Sequence, residues 1–363
     1  MPMPTPSPAI RPLSVLKITG AFIAFLFGSG FATGQEVMQF FVSAGVAGVG
    51  GAVLFMVLCT YLSVTLLLAG HKYRFQNIDE VFRYFAGDYL GRLFAWYTIL
   101  LLFSVYALML AGAGSVLHEQ YGIPVYVGSG LLASVVLVSL FFGLHELIDV
   151  IGTIGPLLAL FVLYIAITAV VQEPRAVFAG AATIPDLEML RASGSWWMSG
   201  LLYTALNVYG LFSFLPSVGA TIENRKELIL AGILGPLIYA TALGVTILAF
   251  ISLLPEVNDR LIPMLHLVDQ ALPALASVFA WVVLAGIFTT TAPVLWIVLV
   301  RFTPDGSRRY KWLALVLSVV GFFTCQVLPF DRLVNLIYPT VGYFGLLLIL
   351  CMLIKQFRSR ALI

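Results

Sequence analysis

Long apolar runs, separated by short polar segments, make up most of this chain. A helix of about 20 residues crosses the hydrocarbon core of a bilayer, whereas the strands of a membrane barrel alternate apolar and polar positions over about ten residues. The runs match the first pattern, so the sequence predicts an all-α membrane protein with ten transmembrane helices. The predicted spans are Lys17–Phe41, Gly45–Ala69, Phe94–Leu117, Tyr126–Gly143, Val150–Val171, Trp196–Gly219, Leu228–Leu254, Leu272–Val300, Trp312–Leu328 and Leu333–Ile354.

Composition and charge agree with a membrane location. Hydrophobic residues make up 61% of the chain and charged residues 10%, whereas about a quarter of the residues in a soluble domain are charged. With the N-terminus in the cytoplasm, only four of the 19 lysines and arginines fall outside. This excess predicts a multi-pass membrane protein with both termini cytoplasmic. Because the basic residues are spread over short loops, the predicted partners are the lipid bilayer and a small-molecule substrate, with no nucleic acid.

The first predicted span is interrupted by glycines and carries an acid. Gly28, Ser29 and Gly30 stand together near its middle, and Glu36 is its only carboxylate. A helix in lipid must satisfy its own backbone hydrogen bonds, so a glycine cluster there predicts a helix that opens and presents backbone groups to a small solute or ion. Glu36 is then a counter-charge for a cationic group, a proton carrier or a gate element. The alternative is that Glu36 lies near the outer interface or caps the outer half-helix.

Ten spans in two sets of five place the two halves in opposite orientations, so the sixth span should repeat features of the first. Asn207, Tyr209 and Gly210 lie near the middle of span six, with Pro216 shortly after, and predict a second broken helix. The predicted organisation is a first five-helix repeat over 17–171, an extracellular loop over 172–195 and a second repeat over 196–354. The proline-rich residues 1–16 predict a disordered cytoplasmic tail, and 355–363 a second cytoplasmic tail.

The motif in the first span resembles that of a known superfamily. Phe27-Gly28-Ser29-Gly30-Phe31 resembles the glycine-serine-glycine break in the first helix of the amino acid-polyamine-organocation transporters, which have the LeuT-type fold. The longer string from Gly28 to Glu36, followed by Gln39-Phe40-Phe41, is similar to that of the bacterial YkvI-like membrane proteins. The resemblance implies a LeuT-type 5+5 inverted repeat with helices one and six broken, in a protein of the prokaryotic cell (inner) membrane.

The predicted substrate site surrounds the two breaks. Glycine lets the backbone approach a ligand closely, and hydroxyl and amide side chains can contact a polar solute. The candidate substrate-binding residues are Gly28, Ser29, Gly30, Phe31, Glu36, Tyr106, Asn207, Tyr209 and Gly210. Ser104 and Ser213 are further candidates, and Asn335 and Tyr338 on span ten are weaker ones. For each side chain outside the first span, an interhelical hydrogen bond is an equally good interpretation.

Span eight carries a candidate ion site. The resemblance implies a sodium ion held by carbonyls of the first helix and by one carbonyl and two hydroxyls at i, i+3 and i+4 on the eighth. Gly286, Thr289 and Thr290 have that spacing, and Ala24 and Phe27 are the implied carbonyl donors. All five ligands would be oxygens, which a hard cation prefers. The alternative is that the threonines bond back to their own helix. No cofactor is predicted, and sodium is the candidate coupling ion.

These features predict a secondary active transporter of a small amino acid or related amine-bearing solute, working by alternating access with sodium coupling. The alternatives are a proton-coupled transporter of an organic cation and a transport-incompetent membrane sensor. The chain has no Walker motif, so ATP does not drive it directly. A membrane-embedded enzyme would need a metalloprotease histidine motif or paired intramembrane acids, and neither pattern occurs in the sequence.

Overall fold

The computed structural model describes residues 10–27, 29–142 and 148–359, and within them helix is the only regular secondary structure. The α-helices are α1 (Pro12–Leu26), α2 (Ser29–Thr33), α3 (Gln35–Phe40), α4 (Ala47–Tyr73), α5 (Ile78–Tyr121), α6 (Val125–Phe142), α7 (Ile148–Gln172), α8 (Ala176–Thr183), α9 (Trp196–Thr221), α10 (Arg225–Ser252), α11 (Leu254–Val257), α12 (Pro263–Ala271), α13 (Ala276–Phe302), α14 (Arg308–Thr324) and α15 (Phe330–Ser359). The short 3₁₀ turns are Val42–Ala44, Ile184–Asp186 and Pro273–Leu275.

Every predicted span overlaps at least one of these helices. By length and apolar composition alone, six helices in the described ranges can cross a membrane, namely α4, α5, α9, α10, α13 and α15. Residues 159–172 of α7 and residues 176–186, which begin with α8, form a further apolar pair with a bend of 96° between them. Helices α1 and α6 are apolar but shorter. An all-helical protein with several membrane-crossing helices is therefore confirmed, and the count of ten stays a prediction.

Some helix boundaries differ from the sequence-based prediction. Helix α1 begins at Pro12 rather than Lys17, because proline in a first turn has no backbone N–H to leave unpaired. Helix α5 joins the third span to the polar segment before it, with a kink at Gly87, where φ is +78°. Residues 1–9 of the predicted N-terminal tail, residues 360–363 of the C-terminal tail and Gly28 lie outside the described residues.

The first span is broken, as predicted. Helix α1 ends at Leu26, and Phe27 leaves helical geometry with φ −75° and ψ 50°. A second interruption follows at Gly34, where φ is +88° and a side chain would meet the Phe250 ring at 2.7 Å. The span therefore consists of three short helices, α1, α2 and α3, and Phe27 and Gly34 at its interruptions are buried.

The predicted break in span six is absent, because α9 runs without interruption from Trp196 to Thr221. The polar side chains that suggested a break bond to their own helix instead. The Asn207 amide donates to the Tyr203 carbonyl at 2.8 Å, and the Ser213 hydroxyl lies 2.9 Å from the carbonyl oxygens of both Tyr209 and Gly210. Such internal bonds satisfy polar side chains in lipid without opening the backbone.

Close helix packing forms the centre of the bundle. Helix α4 packs against α9 and α10, α15 packs against α9 and α5, and α1 packs against α7 and α10. A Cβ atom at Gly70 would lie 2.1 Å from the Pro216 carbonyl oxygen, so only glycine allows α4 and α9 to approach this closely. At the start of α1, the Arg11 backbone N–H donates to the fully buried carboxylate of Glu227 at 2.9 Å. In lipid, such packing and interhelical hydrogen bonds hold helices together.

Candidate functional site

Glu36 folds back over the break in the first span. A Cβ atom placed on Gly30 would lie 1.5 Å from Glu36 Oε1 and 3.0 Å from the Tyr338 hydroxyl. The absence of a side chain at Gly30 therefore creates the space that the carboxylate occupies. Helix α2 is stabilised locally by the Thr33 hydroxyl, which donates to the Gly30 carbonyl at 2.8 Å. As a whole residue Glu36 is only partly buried, while its carboxylate is enclosed against Gly30 and the tyrosines.

Two tyrosines from different helices meet this carboxylate, and a third tyrosine contacts one of them. The Tyr203 hydroxyl on α9 donates to Glu36 Oε2 at 3.1 Å and lies 2.6 Å from the Tyr239 hydroxyl on α10. The Tyr338 hydroxyl on α15 faces the same carboxylate. Among the described residues, no ion pair includes Glu36. Its charge is therefore met by hydroxyl dipoles and by no basic side chain of the described part.

Aromatic rings surround these hydroxyls. Phe27 and Phe31 lie 5.1 and 5.5 Å from the Tyr239 ring, measured between ring centroids. Phe55 lies between Tyr203 and Tyr239, at 5.3 and 5.4 Å from their rings, and Phe40 and Phe41 flank Tyr203 at 5.3 and 5.0 Å. The faces of aromatic rings attract cations, and apolar walls strengthen a charge interaction by excluding water. The arrangement suits a small cation that binds a single carboxylate.

An amide cluster lies beside the carboxylate on α3. Gln39 donates to the Gln35 side-chain oxygen at 3.0 Å and to the Asp331 carbonyl at 2.8 Å. The Asn335 amide lies within hydrogen-bonding distance of the Gln39 side-chain oxygen, at 3.1 Å, and of the Arg191 carbonyl, at 3.0 Å. Gln35 also donates to the Arg260 carbonyl at 2.7 Å. The cluster thus joins α3 to α15, to the predicted extracellular loop over 172–195 through Arg191, and to the loop between α11 and α12 through Arg260.

A cavity of about 600 Å³ opens next to this cluster. Its walls are formed by Gln35, Met38 and Gln39 of α3, by residues 187–191 and 258–260 of the two loops, and by Asp331 and Arg332. Glu36 directly follows Gln35 in the chain, so the cavity adjoins the segment that carries the carboxylate. A small polar solute has room in this cavity.

The structure brings some of the predicted site residues together. Gly30 and Glu36 meet at the break, Phe31 packs on the Tyr239 ring, and the weaker candidate Tyr338 faces the carboxylate. The other weaker candidate, Asn335, belongs to the amide cluster on α3. Ser29 begins α2. Gly28, between α1 and α2, lies outside the described residues.

Other predicted site residues contact different parts of the bundle. The Tyr106 ring packs on Gly321 of α14, and Ser104 donates to the Leu100 carbonyl of its own helix. Tyr209 lies in an aromatic cluster, with the Tyr97 ring at 5.6 Å and the rings of Phe82 and Phe94 beyond it. Gly210 makes room for the Phe25 ring. Tyr106 and Tyr209 therefore pack against neighbouring helices, Ser104 bonds to its own helix, and Gly210 contacts Phe25 near the end of α1. Their part in a substrate site stays a prediction.

The candidate sodium ligands on α13 lie on one face. The Thr289 and Thr290 hydroxyls both donate to the Gly286 carbonyl, at 2.9 and 3.1 Å. This is the back-bonded arrangement that the sequence left open as the alternative. Ala24 lies near the end of α1, and Phe27 directly follows that helix. Helix α13 packs against α2, whereas α1 packs against α7 and α10. Sodium binding by these five residues stays a prediction.

Sequence reasoning missed Tyr203 and Tyr239, although both carry hydroxyls into apolar spans. Tyr203 precedes Asn207 by four residues and therefore shares its face of α9. A search for intramembrane hydroxyls on the face that carries Asn207 would have found Tyr203. Tyr239 gives no comparable local signal, because its role depends on its contact with Tyr203 from another helix.

Comparisons with known proteins agree with this architecture. The membrane protein YkvI of Bacillus subtilis (strain 168) is 23% identical over 344 residues, which cover 94% of this chain and 96% of YkvI. The protein YyaD of the same organism is 23% identical over 337 residues, which cover 92% of this chain and 95% of YyaD. No protein-family model matches the chain.

Solved structures show the fold. The Eremococcus coleocola manganese transporter superimposes with a TM-score of 0.59 and 14% identity, over 97% of this chain and 81% of that one. Mhp1, in an inward-facing conformation, superimposes with a TM-score of 0.62 and 15% identity, over 96% of this chain and 76% of its own. These neighbours are transporters rather than enzymes. The chain is thus a homologue of the membrane proteins YkvI and YyaD and has the fold of the LeuT-type transporters.

Proposed function

We propose that this protein is a secondary active transporter that takes a small amino acid or related amine-bearing solute, with the solute's ammonium group bound at Glu36. The observation that carries the proposal is a carboxylate at the break of the first span, surrounded by hydroxyls and aromatic rings and without a basic partner among the described residues. A carboxylate within a membrane helix is energetically costly and usually serves a substrate or ion pathway.

The surroundings of Glu36 favour an ammonium group. An ammonium group donates hydrogen bonds, which the carboxylate and the tyrosine oxygens can accept. The buried rings of Phe31 and Phe55 lie next to the tyrosines, and the face of a ring attracts a cation that comes within about 6 Å. One of the structural neighbours is a manganese transporter, which raises the question of a metal substrate. For this chain we favour an amine, because no group of three His, Cys, Asp or Glu side chains in the described ranges is arranged to hold a metal.

The proposed architecture is a set of ten spans in a LeuT-type 5+5 inverted repeat, with both termini in the cytoplasm. Its support is the excess of basic residues on one side and the likeness to the transporter structures. Alternating access would expose the break in the first span to each side of the membrane in turn.

For the coupling ion we propose sodium, bound by Gly286, Thr289 and Thr290 on α13 with the carbonyls of Ala24 and Phe27. Its support is the shared face of the three α13 groups. The second candidate is proton coupling, with transport of an organic cation. It is favoured by a different observation, because Glu36 has hydroxyl partners that can also stabilise a protonated carboxyl group.

A ligand-stabilisation experiment tests the proposal. The purified protein is heated with alanine, with ethylamine, which lacks the carboxylate, and with propionate, which lacks the amine. A ligand that binds only the folded state raises the melting temperature. We expect amine-bearing compounds to stabilise the wild type and Glu36→Gln to weaken their binding by about ten- to hundredfold, because a hydrogen bond to a charged group is lost.

The matched control is Glu256→Gln, since Glu256 has a 56% exposed side chain that contacts His266 rather than the tyrosines around Glu36. This variant should bind amines as the wild type does. Equal stabilisation by propionate, or unchanged amine affinity in Glu36→Gln, would contradict the proposal. Uptake of the stabilising compound into liposomes then separates a transporter from a membrane sensor.

A further inference from the structure

A second polar cavity, of about 200 Å³, lies between α5 and α13, at the end of the bundle that the charge pattern assigns to the cytoplasm. It is lined by Asp79, Arg83, Gly91, Arg92, Ala95, Trp96 and Arg301. The kink at Gly87 turns the first part of α5 back against the second. A Cβ atom at Gly91 would lie 2.8 Å from the Arg83 backbone, so this close approach brings Arg83 and Arg92 to one cleft.

The cleft has an excess of positive charge. It is lined by three guanidinium groups and one carboxylate, and Arg301 Nη1 contacts that carboxylate, Asp79 Oδ2, at 3.0 Å. Arg83 and Arg92 use their Nε atoms for backbone carbonyls within α5. In the described part of the chain neither arginine forms an ion pair. Their terminal nitrogens are therefore available to an anion, and the guanidinium fork matches the geometry of a phosphate.

Exposed apolar side chains flank the cleft. Leu93 and Trp96 are each 57% exposed, and Phe302 is 53% exposed with its ring 6.1 Å from that of Trp96. Arg301 also lies over the Trp96 ring at 5.7 Å. Tryptophan is enriched where membrane helices meet the headgroup layer, and exposed apolar side chains beside it face acyl chains. The cationic cleft therefore lies directly beside an exposed apolar surface that suits acyl chains.

We propose that this cleft binds the phosphate-bearing headgroup of an anionic phospholipid, with Arg83 and Arg92 on the phosphate and the acyl chains along Leu93, Trp96 and Phe302. Free phosphate shares the headgroup chemistry, but it would leave the apolar flank without a partner. The cytoplasmic leaflet supplies anionic lipid, and each basic residue near the surface strengthens its binding.

The test measures lipid retention on the full-length protein by native mass spectrometry. Detergent-purified protein is titrated with phosphatidylglycerol and with phosphatidylcholine of the same acyl chains. We expect the wild type to bind phosphatidylglycerol at least about tenfold more tightly, and the double variant Arg83→Gln/Arg92→Gln to lose most of that preference. Both arginines are exposed, so the substitutions remove charge without opening the core.

The matched control is Arg308→Gln/Arg309→Gln, which removes two exposed charges at the start of α14, on the same predicted face. It should keep the phosphatidylglycerol preference, because these arginines do not line the cleft. Equal binding of the two lipids by the wild type would overturn the proposal, as would an equal loss in both double variants. The melting temperature is also measured with phosphatidylglycerol and with millimolar inorganic phosphate. If inorganic phosphate raises it as much as phosphatidylglycerol does, the cleft binds free phosphate and the lipid assignment is overturned.

Discussion

Among single residues, Gly30 and Glu36 depend on each other most directly. The carboxylate occupies the space that a side chain at residue 30 would need, and the nearest hydroxyls come from α9 and α15. The position of the charge is therefore set by one missing methyl group and by tyrosines that are distant in sequence.

The substitution Gly30→Ala should weaken amine binding by about tenfold or more while leaving a folded, membrane-inserted protein. The added Cβ would lie 1.5 Å from Glu36 Oε1, so the carboxylate must leave its tyrosine partners. The measurement is the dissociation constant from ligand-induced shifts in melting temperature. Gly20→Ala is the control, because nothing lies within 4 Å of a Cβ atom at that position of α1. Equal dissociation constants for the two variants would place the solute elsewhere.

The sequence predicts Gly30 and Glu36 because their signal is local. Glycines and a carboxylate inside an apolar span are unusual wherever the other helices lie. Tyr203 is separated from Glu36 by 167 positions, and its contribution depends on how α9 packs against α3. A tyrosine in an apolar span is common, so only the packing of the helices distinguishes Tyr203 and Tyr239 from other buried tyrosines.

At the scale of helices, the two expected breaks have different outcomes for a physical reason. In the first span the backbone leaves helical geometry at Phe27 and again at Gly34. In α9 the polar side chains satisfy carbonyls of their own helix, and Gly210 serves a neighbouring ring. Sequence alone does not distinguish these cases, because glycine allows both an open backbone and close packing.

Gly210→Ala should therefore lower stability and leave amine affinity unchanged. A Cβ atom there would lie 2.4 Å from the Phe25 ring, and overpacking of this kind costs about 1–3 kcal/mol. Thermal unfolding with and without the amine separates the two effects. Gly244→Ala on α10 is the control, since a Cβ atom at that position has open space. If Gly210→Ala instead lowers amine affinity and leaves the melting temperature unchanged, Gly210 is part of the solute site.

For the whole molecule, the sequence predicts which segments are apolar and which side of the membrane carries the basic loops. It does not predict which helices pack together, because the close approach of α4 to α9 depends on matching small residues on two distant segments, such as Gly70 beside Pro216. The candidate site lies where α3, α9, α10 and α15 meet. The residues that surround Glu36 could therefore be identified only from the three-dimensional structure.

The driving ion is a property of the whole transport cycle, and α13 allows it to be tested with adjacent residues. Thr290 donates to the Gly286 carbonyl, whereas Thr291 donates to the Ile287 carbonyl and is fully buried. If sodium binds Gly286, Thr289 and Thr290, the hydroxyls must turn their lone pairs to the ion, and Thr290→Ala removes one ligand. We expect Thr290→Ala to raise the sodium concentration for half-maximal uptake by about tenfold, and Thr291→Ala to leave it unchanged.

The same uptake assay distinguishes proton coupling, because a proton needs a titratable carrier and a neutral cage of oxygens suits sodium. Full uptake in potassium buffer without sodium, together with loss of uptake and of its pH dependence in Glu36→Gln, would assign coupling to a proton on Glu36. The Thr290→Ala result would then match that of Thr291→Ala, because the α13 hydroxyls would bond only to their own helix. Sodium dependence that Thr290→Ala weakens and Thr291→Ala preserves would instead assign the ion to α13 and leave Glu36 to bind the amine.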